Sequence, residues 1–191
     1  MKKLLTSIAI LMLCSITAFS QEKKDLEQKS GSKTLEFLSK DGAFLKKEFY
    51  DLDKVSRIEC QVLIISDVVK GQSLGCLKLT TTYYSSYTSS PDEYTGTLDY
   101  DELDACIKSF DYLQTVLLPT SPTVYTEAIY RTRDGVSIGA YYSSKSKWVF
   151  FIQTKSYSAN SMSSISSQDI SILIENFKKA KALIAEKTVK K

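Results

Sequence analysis

Residues 60–79 read CQVLIISDVVKGQSLGCLKL, two strand-like runs that a turn signal near Lys70-Gly71 joins into a hairpin. Within them GQSLG, residues 71–75, matches G-x-S-x-G, the nucleophile elbow of serine hydrolases. An elbow needs a strand, a sharp turn and a helix, with a histidine and an acid supplied from elsewhere. Ser73 instead begins the return strand of a hairpin, and the chain contains no histidine. We therefore interpret Ser73 as a structural residue.

A second hairpin repeats the pattern at an offset of 64, where GVSIG occupies residues 135–139 after the strand-like run YTEAIYRT. Asp134-Gly135 is typical of a two-residue type I′ turn, because glycine tolerates the positive φ that this turn requires. The same argument makes Ser137 structural. A third strand-like run follows each hairpin, EYTGTLDY in the first case and KWVFFIQT in the second.

An amphipathic helix is predicted after each third strand. Apolar residues recur at the spacing of one helix face, and a constant offset of 67 relates the two sets. The sets are Leu103, Cys106, Ile107, Phe110, Leu113 and Leu117, and Ile170, Leu173, Ile174, Phe177, Ala180 and Ile184. A capping side chain with an acid three residues on begins each helix, Asp99 with Glu102 and Ser166 with Asp169. We infer an internal β-β-β-α duplication over residues 58–117 and 124–185.

These elements predict an α+β fold, with two helices on one face of an antiparallel sheet of six to eight strands. Residues 34–52 add a hairpin around Lys40-Asp41-Gly42. Consecutive hairpins favour antiparallel pairing, because parallel strands need long crossover connections. A small β-barrel or sandwich capped by the C-terminal helix is the alternative. In either arrangement residues 34–191 form a single domain.

The N-terminus is typical of a secretory signal peptide. Two lysines precede an apolar run from Leu4 to Phe19, which is short for a bilayer span. We expect a leader over residues 1–20, cleavage between Ser20 and Gln21, and a mature protein that is periplasmic or extracellular. A lipoprotein modified at Cys14 is the alternative.

Charge composition gives no reason to expect a nucleic-acid or anionic-membrane partner. The chain has 25 Lys and Arg against 22 Asp and Glu, and two of the lysines lie in the leader. The charged run over residues 21–33 is predicted to be a disordered linker. We therefore predict no nucleic-acid partner and no membrane span in the mature chain.

Cysteine and histidine usage limits the chemistry that the chain can perform. Three cysteines follow the leader, Cys60, Cys76 and Cys106, and an odd number over this length does not make a disulfide framework. The turn places Cys76 opposite about residue 65, so a bridge to Cys60 is not expected. The lack of histidine removes the commonest general base and zinc ligand. We assign no catalytic residue, metal or cofactor.

Both parities of the runs CQVLIIS and KWVFFIQT are apolar, which indicates that both faces of the sheet are covered. The two helices account for one face. The N-terminal hairpin, a second subunit or a ligand could cover the other, and packing within the chain is the favoured explanation. A homodimer through an apolar sheet face is the partner prediction that follows from the second alternative.

A tyrosine-rich loop is the candidate recognition site. Residues 80–94 read TTTYYSSYTSSPDEY, a composition that suits recognition because tyrosine offers large contact area at small rotamer cost. The candidate ligand or partner contacts are Tyr83, Tyr84, Tyr87, Tyr94 and Trp148. Packing of these side chains on the sheet is the alternative.

Acidic residues between Asp92 and Asp104 could hold calcium, although the sequence lacks the Asp-x-Asp-x-Asp-Gly loop of calcium sites. Acids at a helix N-terminus are also favoured by the helix dipole. We favour the capping interpretation.

Three stretches, YTGTLDYDELDACIKSFDYL, YTEAIYRTRDGVSIGAYY and KWVFFIQT, resemble a recurring pattern in exported proteins of Gram-negative bacteria. The resemblance covers roughly residues 58–185. It implies export and the domain boundaries, and it carries no activity, ligand or catalytic residue.

Two functions of different class are consistent with the sequence. The first is a non-catalytic secreted or periplasmic binding or interaction module that uses the tyrosine-rich loop or an apolar sheet face. The alternative is a histidine-free hydrolase with a Ser-Lys or paired-carboxylate site. We favour the binding module, because capping explains the carboxylate spacing.

Overall fold

Eight β-strands and three α-helices form the described part of the chain, residues 31–86, 90–143 and 147–188 of the computed structural model. The strands are β1 (Leu45–Asp51), β2 (Ile58–Asp67), β3 (Gln72–Tyr83), β4 (Asp92–Asp99), β5 (Glu127–Arg131), β6 (Ser137–Ser143), β7 (Lys147–Gln153) and β8 (Met162–Ile165). The helices are α1 (Lys33–Leu38), α2 (Leu103–Tyr112), which continues into a π-helical turn (Leu113–Leu117), and α3 (Ser167–Thr188). The predicted leader and most of the predicted linker lie outside these residues.

The strands form two four-stranded antiparallel sheets, in the orders β1-β2-β3-β4 and β5-β6-β7-β8. The α+β class is therefore confirmed, and the prediction of one sheet of six to eight strands is wrong. Side chains occupy the outer edge of β4 where a fifth strand would pair. The Thr97 N–H donates to the Asp134 carboxylate at 2.8 Å, and the Thr132 hydroxyl donates to the Thr97 carbonyl at 3.1 Å. These bonds satisfy the N–H and C=O groups of Thr97, so no strand of the second sheet pairs with β4 at this position.

Each sheet is a meander of four strands followed by a helix, so the repeated unit is β-β-β-β-α rather than β-β-β-α. The sequence pattern missed β8, which has only four residues. The helix offset of 67 relates β4 to β8, whereas the motif offset of 64 relates the start of β3 to the start of β6. The two G-x-S-x-G motifs therefore lie in the third strand of one sheet and the second strand of the other.

Helix α1 forms where the sequence predicted the first strand of a hairpin. Ser32, a residue of the predicted linker, is buried and accepts a hydrogen bond from the Leu35 N–H at 3.3 Å. The Asp99 carboxylate, at the end of β4, accepts from the N–H groups of Lys33 at 2.8 Å and Thr34 at 3.0 Å. These bonds satisfy donors that the first turn of a helix leaves unpaired. The hairpin prediction is wrong because the capping carboxylate is distant in sequence.

The turn between β5 and β6 is one residue longer than the predicted type I′ turn. The Gly135 N–H donates to the Thr132 carbonyl at 3.0 Å, and the Thr132 N–H donates to the Val136 carbonyl at 2.9 Å. Gly135 has a φ of +88°, whereas Asp134 is not among the described residues with positive φ. A type I turn followed by a left-handed glycine gives this three-residue connection.

One hydrophobic core joins a face of each sheet with α2 and α3. Phe110 of α2 and Phe177 of α3 are fully buried and meet edge to face, with ring centroids 6.0 Å apart. Helix α3 packs across β2 and β3. Gly75 permits this close approach, because a Cβ atom there would lie 2.6 Å from Cγ2 of Ile184.

Helix α1 covers the opposite face of the first sheet. Phe37 of α1 packs with Leu63, Ile65 and Cys76 in a second, smaller cluster. For this sheet, packing within the chain explains why both strand parities are apolar. In the described part of the chain, no helix has the length and apolar character needed to span a membrane.

Candidate functional site

An apolar groove of about 360 Å³ separates α2 and its π-helical turn from strand β5. The helix side contributes Phe110, Leu113 and Leu117, and the sheet side contributes Ala128, Tyr130 and Ile138. Ligand pockets in proteins commonly have volumes of about 300–1,000 Å³ and mostly apolar walls. The groove is therefore large enough for a small ligand.

The groove exists because α2 packs on α3 more closely than on the second sheet. At its C-terminal end the helix widens into the π turn, where the Leu118 N–H donates to the Leu113 carbonyl at 3.0 Å. Such π-helical turns are frequent at functional sites. Beside this turn Tyr112 and Val116 are 55% and 45% exposed, which extends the apolar surface of the groove toward solvent.

Few polar groups reach the groove. The Tyr130 hydroxyl donates to the Glu102 carbonyl at 3.1 Å, and burial raises the pKa of Tyr130 to about 12. The Ser109 hydroxyl donates to the Ala105 carbonyl of its own helix at 2.8 Å. Lys108 lies exposed on the groove wall and forms no salt bridge with another residue of the described ranges. The groove thus combines an apolar floor with one available cation.

Next to the groove, a cluster of charged side chains connects α1, the β4–α2 junction and the β5–β6 turn. The Arg133 guanidinium lies 3.0 Å from the Asp99 carboxylate and also contacts Asp101. Glu102 accepts from the Asp99 N–H at 2.9 Å and from the Arg133 N–H at 2.8 Å. Every carboxylate in this cluster has protein partners, so its role in the described residues is structural.

The other acids of the predicted cluster are dispersed. Asp104 binds Lys181 through both oxygens at 2.6 and 2.7 Å, and Asp92 lies on β4 paired with Tyr83. Among the residues that the structure describes, no three Asp, Glu, Cys or His side chains converge as a metal site would require. Asp101 contacts Arg133 and Lys33, which together lower its pKa from 3.8 to about 2.

The structure gathers only part of the predicted recognition residues. Tyr83 and Tyr94 are half-buried on β3 and β4, Tyr84 is 77% exposed just beyond them, and Tyr87 lies outside the described residues. Trp148 lies elsewhere on β7, six residues before Thr154, whose hydroxyl donates to the Tyr94 carbonyl. Six residues of strand span about 20 Å. Its indole donates to the Thr120 carbonyl at 3.1 Å, close to the end of the groove.

The two motif serines have structural partners. The Ser73 hydroxyl lies 2.8 Å from that of Ser66 on the neighbouring strand. Ser137 is buried and accepts from the Arg131 guanidinium at 3.3 Å. Lys33 lines the same small cleft as Ser73, but its ammonium group binds Asp101 at 2.9 Å.

The three cysteines of the described chain are free and buried. Cys76 pairs across the ladder with Leu63, and Cys60 with Leu79, so the two do not face each other. Burial raises the pKa of the Cys60 and Cys76 thiols to about 12, and it raises that of Cys106 further.

Comparison with known proteins gives no match to a family model, a curated protein or a solved structure. The groove itself was not predicted from the sequence, because the helix stripe assigns Phe110, Leu113 and Leu117 to the core. One signal was present. Residues 116–118 read VLL, which places apolar side chains on more than one helix face.

Proposed function

We propose that the protein is an exported, non-catalytic binding module whose ligand is a small amphipathic molecule with an apolar body and an anionic group. The groove between α2 and β5 carries this proposal. Its apolar walls suit the body of the ligand, and Lys108 on the wall suits the anionic group.

The hydrolase alternative gains no support from the geometry. Ser73 and Ser137 contact a hydroxyl and a guanidinium, and neither group can act as a general base. The carboxylates of Asp99 and Glu102 accept backbone N–H groups, which leaves them engaged in capping. We therefore propose binding without catalysis.

A matched pair of fluorescent probes tests the ligand chemistry. 8-Anilinonaphthalene-1-sulfonate has an aromatic body and an anionic group, and N-phenyl-1-naphthylamine has nearly the same body without charge. Both should bind the folded protein saturably. Lys108→Gln should weaken binding of the anionic probe about two- to fivefold, because one exposed ion pair is lost. Binding of the neutral probe should not change.

A groove-filling variant separates this site from nonspecific surface binding. Ala128→Trp places a large side chain in the groove and should abolish binding of both probes. Ala105→Trp is the control, since Ala105 is exposed on α2 and does not line the groove. Equal probe binding by both variants, with folding verified by circular dichroism, would contradict the proposal.

A further inference from the structure

Strand β5 is an edge strand whose outer side has unpaired backbone groups. The Thr132 N–H donates to the Val136 carbonyl and the Tyr142 N–H donates to the Thr126 carbonyl, so the even-numbered residues of this segment bond to β6. The N–H and C=O groups of Glu127, Ile129 and Arg131 therefore point away from the sheet. No other residue of the described ranges forms a hydrogen bond with them.

The other three sheet edges are protected. Side chains of the β5–β6 turn bond to β4, as described above. The Arg57 guanidinium bonds to the Met162 carbonyl and, at 3.1 Å, to the Ser163 hydroxyl of β8. Edge β1 carries charges at four of its seven positions, a common device against strand addition. Edge β1 has the exposed apolar residues Phe44 and Phe49 beside its four charges. The open β5 edge has more exposed apolar neighbours, which are Tyr112, Val116, Val124, Tyr125 and Ile129.

The sequence of β5 is complementary to itself when two copies run antiparallel. It reads EAIYR, and pairing about Ile129 places Glu127 opposite Arg131 of a second chain and Arg131 opposite its Glu127. We propose that a second copy of this chain pairs with β5 across a twofold axis at Ile129, which joins the two second sheets into one continuous sheet of eight strands. A second copy would pair with the outer N–H and C=O groups of β5 and would place an opposite charge beside both Glu127 and Arg131.

The charges of β5 are available for this pairing. Neither Glu127 nor Arg131 forms a salt bridge with another residue of the described chain. Glu127 accepts the Tyr125 hydroxyl, and Arg131 donates from Nε to Ser137 at 3.3 Å, which leaves the rest of each charged group exposed. The three opposed pairs would exchange about six backbone hydrogen bonds, because opposed residues of an antiparallel ladder exchange two.

The pairing would also change the walls of the groove. Ala128 and Tyr130 line the groove beside the open edge, so β5 of the partner would form an additional wall next to them. This consequence rests on the proposed binding function, whereas the pairing itself depends only on the edge and its charges. A five-residue strand pair buries less surface than a permanent dimer, so we expect a reversible dimer.

Sedimentation equilibrium of the purified protein from about 1 to about 200 µM tests the pairing. The wild-type protein should dimerise reversibly. Arg131→Glu should weaken the dimer at least about tenfold, because two attractive charge pairs become repulsive, and Glu127→Arg should do the same. The double variant Glu127→Arg with Arg131→Glu restores opposite charges across the axis and should restore dimerisation.

Lys47→Glu on the β1 edge is the matched control and should leave the dimer unchanged. Ile129→Pro should abolish dimerisation while the monomer stays folded, since it removes only an outward N–H. A monomer at every concentration, or a dimer that both single reversals leave intact, overturns the proposal. Probe binding to the groove is measured separately, so it can succeed or fail independently of these outcomes.

Discussion

Replacement of Asp99 by alanine should destabilise the protein more than any other single change in the charged cluster. The Asp99 carboxylate is 1% exposed and accepts the N–H groups of Lys33 and Thr34, the Thr34 hydroxyl and the Arg133 guanidinium. A hydrogen bond to a charged group contributes about 1.5–3 kcal/mol. Removal of one partner from a buried ion pair costs about 3–5 kcal/mol.

We expect Asp99→Ala to lower the free energy of unfolding by about 3–5 kcal/mol, which is less than the summed energies of the hydrogen bonds that Asp99 accepts. Arg133 keeps Asp101 and Glu102 as partners, so its charge stays compensated when Asp99 is removed. Against a typical stability of about 5–15 kcal/mol, this loss is large. Urea unfolding followed by circular dichroism gives the free energy by linear extrapolation.

Asp101→Ala is the matched control, because Asp101 contacts the same arginine but has a side chain that is 46% exposed. Asp101→Ala should lower the free energy of unfolding by less than about 1 kcal/mol. Hydrogen exchange adds a local readout, since Asp99→Ala should deprotect the amides of α1. If Asp99→Ala costs less than about 1 kcal/mol, or if both variants cost the same, the capping argument is refuted.

Three further predictions follow from burial and charge. Because burial raises the pKa of all three described cysteine thiols, none should react with iodoacetamide in the native protein, and all three should react in urea; alkylation of a native thiol, detected by mass, would contradict this. The Arg133 guanidinium holds the pKa of Asp101 below its ordinary value, so this carboxylate stabilises the fold above about pH 4 and loses its effect toward pH 2. The difference in Tm between the wild type and Asp101→Asn should shrink as the pH falls through that window, and a constant difference would argue against it. Phe177→Ala should lower the free energy of unfolding in urea by about 3–5 kcal/mol, whereas exposed Lys178→Ala should lower it by less than about 0.5 kcal/mol. Similar losses for the two variants would show that the contact of Phe177 with Phe110 is unimportant.

Local patterns predicted the elements that local interactions determine. The hairpin of β2 and β3 and that of β5 and β6 form where strand-like runs flank a glycine turn. The capping pair of Ser166 and Asp169 forms as expected, with reciprocal bonds of 2.8 and 3.1 Å. Both amphipathic stripes lie in helices, with Phe110 and Phe177 in the core.

Distant partners determine the elements that sequence patterns missed. Helix α1 depends on Asp99, and the division into two sheets depends on side chains of the β5–β6 turn that bond to β4. No local signal in residues 34–52 or 92–99 shows these contacts. The groove was not predictable from the sequence, because an apolar helix stripe has the same pattern whether the helix contacts a sheet or is separated from it by a groove.

The groove lies where the two β-β-β-β-α halves differ. In the first sheet, Gly75 lets α3 approach β3 until Ile184 contacts the strand. In the second sheet, the facing strands carry Tyr130 and Ile138, and α2 ends in a π turn after only ten residues. A groove of about 360 Å³ remains between this helix and β5. The groove thus lies where the two halves depart from symmetry. The proposed binding site therefore depends on differences between the repeats rather than on the fold that they share.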